Sequence, residues 1–451
     1  MGQELRRTVG PLGGTAVAVS VVVGSGLLVL PGVAYSRHGT AALYAWILDG
    51  AIVAPLLAVF VWLGRRHPGA GGVAGYVRNA FGPRAGTATT IIALGTVLPG
   101  LGTVAVAGGY HAEELFGRNP AVAVLGTLGL LAAAMIVNLL GVSVSTRAQV
   151  IAAAVFVAAI AAAAIGALVV ADPGGRAVVA GPSQAPLALP ALGLVFQAFT
   201  GWEMVSCTTG EYRNARRDFP IVVWGSYALV LVLYLLVGFS VQFAVTPHSP
   251  GVDTAPIAML AAVAGGEVGR VLFSAIGVVL VFANLVGAVW ALSRLIFASA
   301  RSTLLPGRLA QLSPGRSVPS AAVLLAGGAV AVVAGLAAAG LIPIRLLFSF
   351  AGQSFFVLYI ACLFSYLSLV RSWNGRVLGI VALGPCLLML GTVGWHSLYP
   401  LGLLALGAVV AWRRPDADLV AAEQQAEEPQ QRRAVQPAAL LLPRELVPAH
   451  A

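Results

Sequence analysis

Long apolar runs recur along the chain from residue 11 to residue 412, and short stretches that contain Arg, Pro or Gly separate them. A helix of about 20 mostly apolar residues crosses the hydrocarbon core of a bilayer, and the runs have about this length. The pattern therefore predicts an all-α membrane protein with about twelve transmembrane helices. The predicted spans are 11–35, 40–63, 86–110, 120–140, 148–171, 188–209, 221–245, 268–298, 319–340, 345–370, 377–394 and 396–412.

Composition gives a second indication of a lipid environment. Charged residues are 9% of the chain and apolar residues are 59%. An ordinary soluble domain has about 25% charged residues, so this chain cannot build a surface that faces water on all sides. All 26 basic residues are Arg, and they are scattered among loops rather than gathered on one stripe, which disfavours nucleic-acid binding.

Arginine is distributed unevenly between the two sets of connecting loops. If the N-terminus is cytoplasmic, the even-numbered loops and the two ends of the membrane region contain 17 arginines. The odd-numbered loops contain five, namely Arg37, Arg118, Arg176, Arg270 and Arg345. Because cytoplasmic loops are enriched in Arg, the bias predicts a multi-pass protein with both termini in the cytoplasm.

Two segments outside the spans are polar. Residues 1–10 are predicted to form a cytoplasmic N-terminus, and the following run lacks a small-residue cleavage site, so we expect a retained span rather than a signal peptide. Residues 413–451 are rich in Glu, Gln, Pro, Ala and Arg, and this composition predicts a disordered cytoplasmic tail. A short regulatory helix in the tail is disfavoured because Pro443 interrupts its apolar stretch.

The first predicted span contains Gly24 and Gly26 on either side of Ser25, within an aliphatic segment. Two close glycines weaken a helix, and unwound backbone at bilayer depth is tolerated where it faces protein or a cavity. The half-helix after Gly26 would direct free N–H groups at an anion, so the segment predicts a carboxylate site to which Ser25 adds a hydroxyl donor. The alternative is close helix packing through small residues.

The sixth predicted span is interrupted at the corresponding place of a second half, by Thr200, Gly201 and Glu203. A pair of interrupted spans, one in each half, indicates the central site of a carrier. We expect carbonyl groups between Phe196 and Thr200 to accept hydrogen bonds from an ammonium group, with Phe199 as a hydrophobic lid. Glu203 either caps the broken helix or moves a proton, since a carboxylate inside a bilayer is costly.

Other polar groups inside the spans give weaker indications. Asp49 is a proton site, a residue that faces a cavity, or a sign that the edge of the second span is misplaced. Four amide side chains are more typical of hydrogen bonds between helices than of ligands: Asn138, Gln197, Asn284 and Gln353. His and Cys residues are dispersed without metal-ligand spacing, so no metal or cofactor is expected and a membrane-embedded enzyme is disfavoured. A channel is disfavoured because no span carries a continuous polar face.

Four stretches of sequence resemble the amino acid–polyamine–organocation permease superfamily. They are GSGLLVLP at 24–31, HPGAGGVAGYVRNAFG at 67–82, FTGWE with GEYRNARRDFP within 199–220, and SRLIFASARSTLLP at 293–306. The resemblance covers nearly the whole chain up to the tail. It implies a LeuT-type core of five-plus-five inverted repeats with broken first and sixth helices. The first repeat would cover about 11–171 and the second about 188–370, with two extra helices within 377–412, all in a transporter domain of residues 11–412.

The resemblance also implies roles for individual residues. The carboxylate site of the superfamily falls on Ser25 and Gly26, and its ammonium site falls on the carbonyls of Val22 and of Phe199 or Thr200. Its broken-helix glycine is Gly201, and Glu203 is the acid that follows. Two positions depart from the pattern: Phe156 aligns with a lysine of many proton-coupled uptake relatives, and Gln197 aligns with a tryptophan gate.

Within the superfamily, three further phrases resemble bacterial exporters of methionine and branched-chain amino acids: LGRRHPGAGGVAGYV at 63–77, EYRNARRDFP at 211–220 and VGWHSLYPL at 393–401. This implies a secondary active transporter in the bacterial cytoplasmic membrane that exports neutral, apolar L-amino acids in exchange for protons. The expected partners are the amino acid, the proton and the lipid bilayer, and the protein is expected to be a monomer or a homodimer. The alternatives within the fold are uptake of a neutral amino acid and transport of an amine.

Overall fold

A computed structural model gives the structure of residues 10–68, 72–117, 119–141, 146–174, 177–206, 209, 212–301, 304–313, 318–392 and 397–413. The side chain of Ser25 and residues such as Cys207 and Glu211 lie outside this description. The predicted N-terminal segment before residue 10 and the predicted tail after residue 413 also lie outside it, so their structures stay predictions.

Helices account for every regular element of the described residues. They are α1 (Pro11–Val22), α2 (Ser25–His38), α3 (Ala42–Arg66), α4 (Gly72–Phe81), α5 (Pro83–Phe116), α6 (Pro120–Leu140), α7 (Thr146–Val170), α8 (Leu189–Val195), α9 (Trp202–Ser206), α10 (Ala215–Ala244), α11 (Pro256–Arg301), α12 (Ser320–Ala338), α13 (Ile344–Leu369), α14 (Trp373–Thr392) and α15 (Leu398–Trp412). The predicted all-α class is confirmed.

Nine helical segments within the described ranges are long and apolar enough to cross a membrane. Three shorter apolar helices accompany them, at Pro11–Val22, Trp373–Met389 and Leu398–Trp412. Large apolar side chains such as Leu125, Ile151 and Val169 are exposed on the outside of the bundle, where a bilayer would cover them. The structure is therefore that of a multi-pass membrane protein, and the number of twelve spans stays a prediction.

Two of the predicted spans differ in form from a single straight helix. The first consists of α1 and α2, and the sixth consists of α8, a 3₁₀ turn at Phe196–Phe199 and α9. The eighth span was expected to begin at residue 268, but α11 begins at Pro256. Gly265 and Gly266 have non-helical backbone angles inside α11, so a shorter helical piece precedes the predicted span.

Helix α5 lies at the centre of the packing, against α6, α11, α12, α13 and α15. Small residues allow its backbone to come close to its neighbours. A Cβ atom on Gly109 would lie 2.3 Å from the Ala123 carbonyl oxygen and 2.1 Å from the Thr127 hydroxyl oxygen of α6. In membranes, close helix contacts of this kind supply the association energy that water expulsion supplies in soluble proteins.

One end of the bundle is covered by the segment between α10 and α11. The Val252 carbonyl oxygen of this segment packs directly on Gly32 of α2, where a Cβ atom would overlap it. The Ser36 hydroxyl also donates to the Asp253 carboxylate at 2.5 Å. This segment therefore holds α2 in place on one side of the break between α1 and α2.

Replacement of Gly109 by Ala is expected to separate α5 from α6, because the new methyl group has no space beside the Ala123 carbonyl. Overpacking of this kind costs about 1–3 kcal/mol. The measurement is thermal unfolding of the purified protein in detergent. Gly129→Ala on α6 is the matched control, because a Cβ atom there has nothing within 4 Å. Equal melting temperatures of the two variants would contradict the close contact.

Candidate substrate site at two helix breaks

The first break separates α1 from α2 at Val23 and Gly24. Val23 has φ −81° and ψ 69°, and the Gly24 N–H donates to the Val22 carbonyl at 2.9 Å. These values describe an inverse γ-turn, which uses three residues instead of a helical turn. The chain thus leaves the helix within the segment where the sequence places two glycines.

The turn releases the Ser20 carbonyl, which would bond to the Gly24 N–H in an uninterrupted helix. The Asn284 amide of α11 donates to this carbonyl at 2.6 Å. An unpaired carbonyl at membrane depth would be costly, so Asn284 stabilises the broken form of the helix. This contact agrees with the structural role expected for the amide.

The second break lies between α8 and α9. The chain first tightens into the 3₁₀ turn Phe196–Phe199, and Thr200 then becomes extended, with φ −99° and ψ 166°. The Thr200 hydroxyl and N–H both donate to the Gln197 carbonyl, at 2.8 and 3.3 Å. Gly201 follows with φ +122°, a backbone conformation that favours glycine.

Glu203 is buried directly after this break. Its carboxylate accepts a hydrogen bond from the Gly201 N–H at 2.9 Å and another from the Tyr359 hydroxyl of α13 at 2.5 Å. The two bonds fix the Gly201 peptide and attach the break to α13. The geometry is that of a cap on the broken helix, one of the two roles that the sequence left open.

The two breaks cross each other with almost no space between their backbones. A Cβ atom on Gly26 would lie 2.7 Å from the Ala198 Cα atom, and one on Gly201 would lie 3.2 Å from the Val22 Cα atom. Gly24 differs, because a Cβ atom there would be 3.6 Å from its nearest neighbour, the Val104 Cγ2 atom of α5. Gly26 and Gly201 are therefore required for contact between the breaks, whereas Gly24 has room for a methyl group at ordinary contact distance.

Tyr234 of α10 joins the two breaks, and the sequence interpretation missed it. Its hydroxyl oxygen is 3.1 Å from the Val22 carbonyl oxygen and 2.6 Å from the Ala198 carbonyl oxygen. A phenol carries one hydrogen, so both carbonyls share a single donor. The available signal was a lone Tyr within the aliphatic run LVLVLYLLVG, since a buried Tyr hydroxyl usually has a partner.

The aromatic residues of the site form two groups. The Phe199 ring lies 5.0 Å from the Tyr234 ring and 6.1 Å from the Trp46 ring, measured between centroids, and all three side chains are buried. The Phe196 ring lies 4.3 Å from the Phe356 ring of α13. Phe199 is thus packed between two rings, and its role as a lid stays a prediction.

Gln197, like Phe196 and Glu203, lies against α13. A Cβ atom on Gly352 of α13 would lie 3.6 Å from the Gln197 Cβ atom. The Gln197 Oε1 atom is buried and has no hydrogen-bond partner among the described residues. No group of three His, Cys, Asp or Glu residues in the described ranges is arranged to hold a metal ion.

Comparison with known proteins gives a consistent result along most of the chain. A family model described as amino acid permease matches residues 10–404. The chain is 27% identical to the uncharacterized amino acid permease YecA of Bacillus subtilis, over 90% of this chain and 95% of that protein. It is 29% identical to the L-methionine/branched-chain amino acid exporter YjeH of Escherichia coli, over 89% of this chain and 95% of that protein.

A further relative and a solved structure extend the comparison. The serine/threonine exchanger SteT of Bacillus subtilis is 24% identical, over 71% of this chain and 74% of that protein. The crystal structure of MhsT in complex with L-phenylalanine superposes with a TM-score of 0.64 at 14% identity, covering 88% of this chain and 100% of that chain. This likeness shows that the two chains share a fold.

Gly26→Ala is expected to weaken solute binding, because the methyl group would push the Ala198 backbone away and separate the breaks. A cost of about 1–3 kcal/mol for overpacking corresponds to a loss of about 5- to 150-fold in affinity. Binding of labelled leucine or methionine to the purified protein measures the effect. Gly24→Ala is the control, and a loss in that variant equal to the loss in Gly26→Ala would contradict the geometry.

Tyr234→Phe is expected to weaken both stability and solute binding, because it removes the shared donor of the two breaks. Hydrogen bonds between membrane helices contribute about 0.5–2 kcal/mol. Tyr399→Phe is the matched control, since it removes one bond, to the Gly95 carbonyl at 2.7 Å, elsewhere in the bundle. Both variants should melt earlier, while only Tyr234→Phe should lose affinity. Unchanged affinity in Tyr234→Phe would limit the tyrosine to a structural role.

Proposed function

Because this chain belongs to the amino acid permease family and is an amino acid transporter with the LeuT-type fold, we propose that it carries neutral, apolar L-amino acids. In this proposal the solute leaves a bacterial cell in exchange for protons. The observation that carries the proposal is the crossing of two helix breaks inside the bundle. The family and its relatives are transporters rather than enzymes.

The beginning of α2 suits the carboxylate of an amino acid. The helix has 14 residues and starts at Ser25, directly after the turn at Val23 and Gly24. Its first N–H groups lack helical partners, and the helix dipole places partial positive charge beside them. We therefore assign the carboxylate to the N–H groups of Ser25 and Gly26.

Carbonyls of both breaks suit the ammonium group, with a restriction from the hydrogen bonds already present. The Val22 carbonyl accepts from the Gly24 N–H and from Tyr234, and a carbonyl oxygen has two lone pairs. An ammonium group at Val22 would therefore take the share of Tyr234, whose hydrogen would remain with Ala198. Phe199 and Thr200 supply the other carbonyls of this proposed site.

The surroundings of the breaks favour an apolar side chain on the solute. Phe196, Phe199 and Trp46 are buried and aromatic, and Val104 lies beside Gly24. Glu203 is bonded to the Gly201 N–H and the Tyr359 hydroxyl, so a cationic side chain would have to compete with both donors. Neutral solutes such as methionine, leucine, isoleucine and valine fit these surroundings better than arginine, lysine or polyamines.

Export is supported by likeness to the Escherichia coli exporter over nearly its whole length. The alternatives are uptake of a neutral amino acid and transport of an amine. We propose alternating access between the two inverted repeats, around the fixed crossing of the breaks.

The protein is a multi-pass membrane protein with bacterial relatives, and the arginine bias supports two cytoplasmic termini. One chain carries all the proposed site residues, so a monomer is sufficient, with a homodimer as the other arrangement.

Proteoliposomes loaded with labelled methionine or leucine test the proposed function. We expect release of the labelled amino acid to accelerate when an imposed gradient drives protons into the liposomes. We also expect unlabelled valine or isoleucine outside to exchange with the labelled amino acid inside. Empty liposomes and liposomes with the Gly26→Ala variant are the controls. Competition by arginine or by amines that exceeds competition by leucine would favour the amine alternative, and accumulation driven by proton symport would favour uptake.

A further inference from the structure

Asp49 is a carboxyl group that the proposed substrate site does not use. It is the eighth residue of α3, with an exposed fraction of 0%, so it lies well inside the helix and not at its edge. Ala45, Val53 and Leu56 on the neighbouring turns of α3 are also buried. Neither carboxyl oxygen of Asp49 has a hydrogen-bond partner among the described residues.

This environment determines which form of the carboxyl group the structure can contain. An ionised carboxylate that is removed from water without hydrogen bonds or a counter-ion is strongly destabilised. The neutral carboxylic acid loses much less solvation in the same place. The arrangement of helices described here is therefore compatible with protonated Asp49 and incompatible with its anion.

Glu203 is in the opposite situation, although it is also buried. Its carboxylate accepts from the Gly201 N–H and the Tyr359 hydroxyl, and donors of this kind stabilise a negative charge. Movement of Glu203 during transport would release the peptide that closes the second break. Of these two carboxyl groups, Glu203 has the contacts of a cap and Asp49 has the surroundings of a proton carrier.

Helix α3 packs against α2, α8, α9, α10, α13 and α14, and all of these helices except α8 contain titratable or charged groups. None of these groups forms a hydrogen bond with Asp49, and α8 has none. On the other helices they are Tyr35, Arg37 and His38 (α2), Tyr44, Arg65 and Arg66 (α3), Glu203 (α9), Arg216, Arg217, Asp218, Tyr227 and Tyr234 (α10), Arg345, Tyr359, Cys362 and Tyr366 (α13), and Arg376 and Cys386 (α14).

Helix α3 connects Asp49 with the breaks. Trp46 lies one turn from Asp49, and its ring is 6.1 Å from the Phe199 ring and 5.3 Å from the Tyr234 ring. On the other side of Asp49, the Gly50 carbonyl accepts a hydrogen bond from the Tyr227 hydroxyl of α10 at 2.8 Å. A movement of α3 that brings water to Asp49 would therefore also move Trp46 and change its packing against Phe199 and Tyr234.

We propose that Asp49 binds the coupling proton and that Glu203 does not. The carboxyl group takes up one proton before the helices close around it, and it releases that proton to water in a conformation where it is accessible. Because the anion opposes the closed arrangement, the return of the carrier without solute takes place with the proton bound, while the step that moves the solute outward follows release of the proton. This inference rests on proton exchange in the proposed function and adds the residue that carries it.

Asp49→Asn is the direct test, because asparagine has nearly the shape of the neutral acid and cannot release a proton. We expect exchange of labelled leucine for unlabelled leucine to persist in proteoliposomes. We expect the acceleration of leucine release by an imposed proton gradient to disappear. A gradient response equal to that of the wild type would overturn the proposal.

Glu203→Gln is the matched comparison, since its amide oxygen can still accept from the Gly201 N–H. We expect this variant to keep a response to the proton gradient, whatever its absolute rate. Loss of the response in Glu203→Gln together with its retention in Asp49→Asn would assign the proton to Glu203 and overturn the proposal.

An infrared measurement on the purified protein separates this inference from the proposed function, because it needs no solute. We expect a C=O stretching band of a protonated carboxylic acid in the wild type and in Glu203→Gln, and its loss in Asp49→Asn. If Asp49→Asn does not fold, absence of the band from Glu203→Gln would by itself overturn the proposal.

Solute exchange without a gradient response in the wild type would also overturn it, while leaving the amino acid assignment intact. Failure of the wild type to exchange any neutral amino acid would contradict the proposed solute. The infrared result would then decide by itself whether Asp49 is protonated.

Discussion

The whole structure depends on one constraint, which is that backbone polar groups inside a bilayer must find hydrogen-bond partners within the protein. Unbroken helices meet this requirement by themselves, and the two broken ones do not. Side chains from other helices complete them: Asn284 bonds to the Ser20 carbonyl, and Tyr234 spans the Val22 and Ala198 carbonyls. The Glu203 carboxylate accepts a hydrogen bond from the Gly201 N–H. The site can exist because the surrounding helices bond to the backbone groups that each break releases.

The same constraint explains the different roles of the glycines. Gly201 adopts a positive φ and touches Val22, while Gly26 allows the start of α2 to rest on Ala198. A Cβ atom on Gly24 would instead make an ordinary contact with Val104, at 3.6 Å. The two glycines bring the broken ends of the helices together, and in our proposal these ends bind the two charged groups of a zwitterion.

Buried carboxyl groups divide into two functions according to their hydrogen bonds. Glu203 accepts hydrogen bonds from two donors, whereas Asp49 has no hydrogen-bond partner in the described part of the chain. Burial alone would not distinguish them, because both are nearly inaccessible. In our proposal, the first group maintains the break and the second binds the coupling proton.

Apolar periodicity and scarcity of charge determined the all-helical membrane class, because runs of about 20 apolar residues can cross a bilayer as helices whose backbone groups bond to one another. The clustered small and polar residues at 24–26 and 200–203 also predicted where the helices break. Tertiary structure alone decided which carbonyls Tyr234 and Asn284 bond to, that Gly26 is a contact residue, and that Glu203 bonds to Tyr359. These partners come from helices distant in sequence, with Tyr234 separated from Val22 by 212 positions. A local pattern contains no information about which distant hydroxyl meets a freed carbonyl, because helix packing sets that distance.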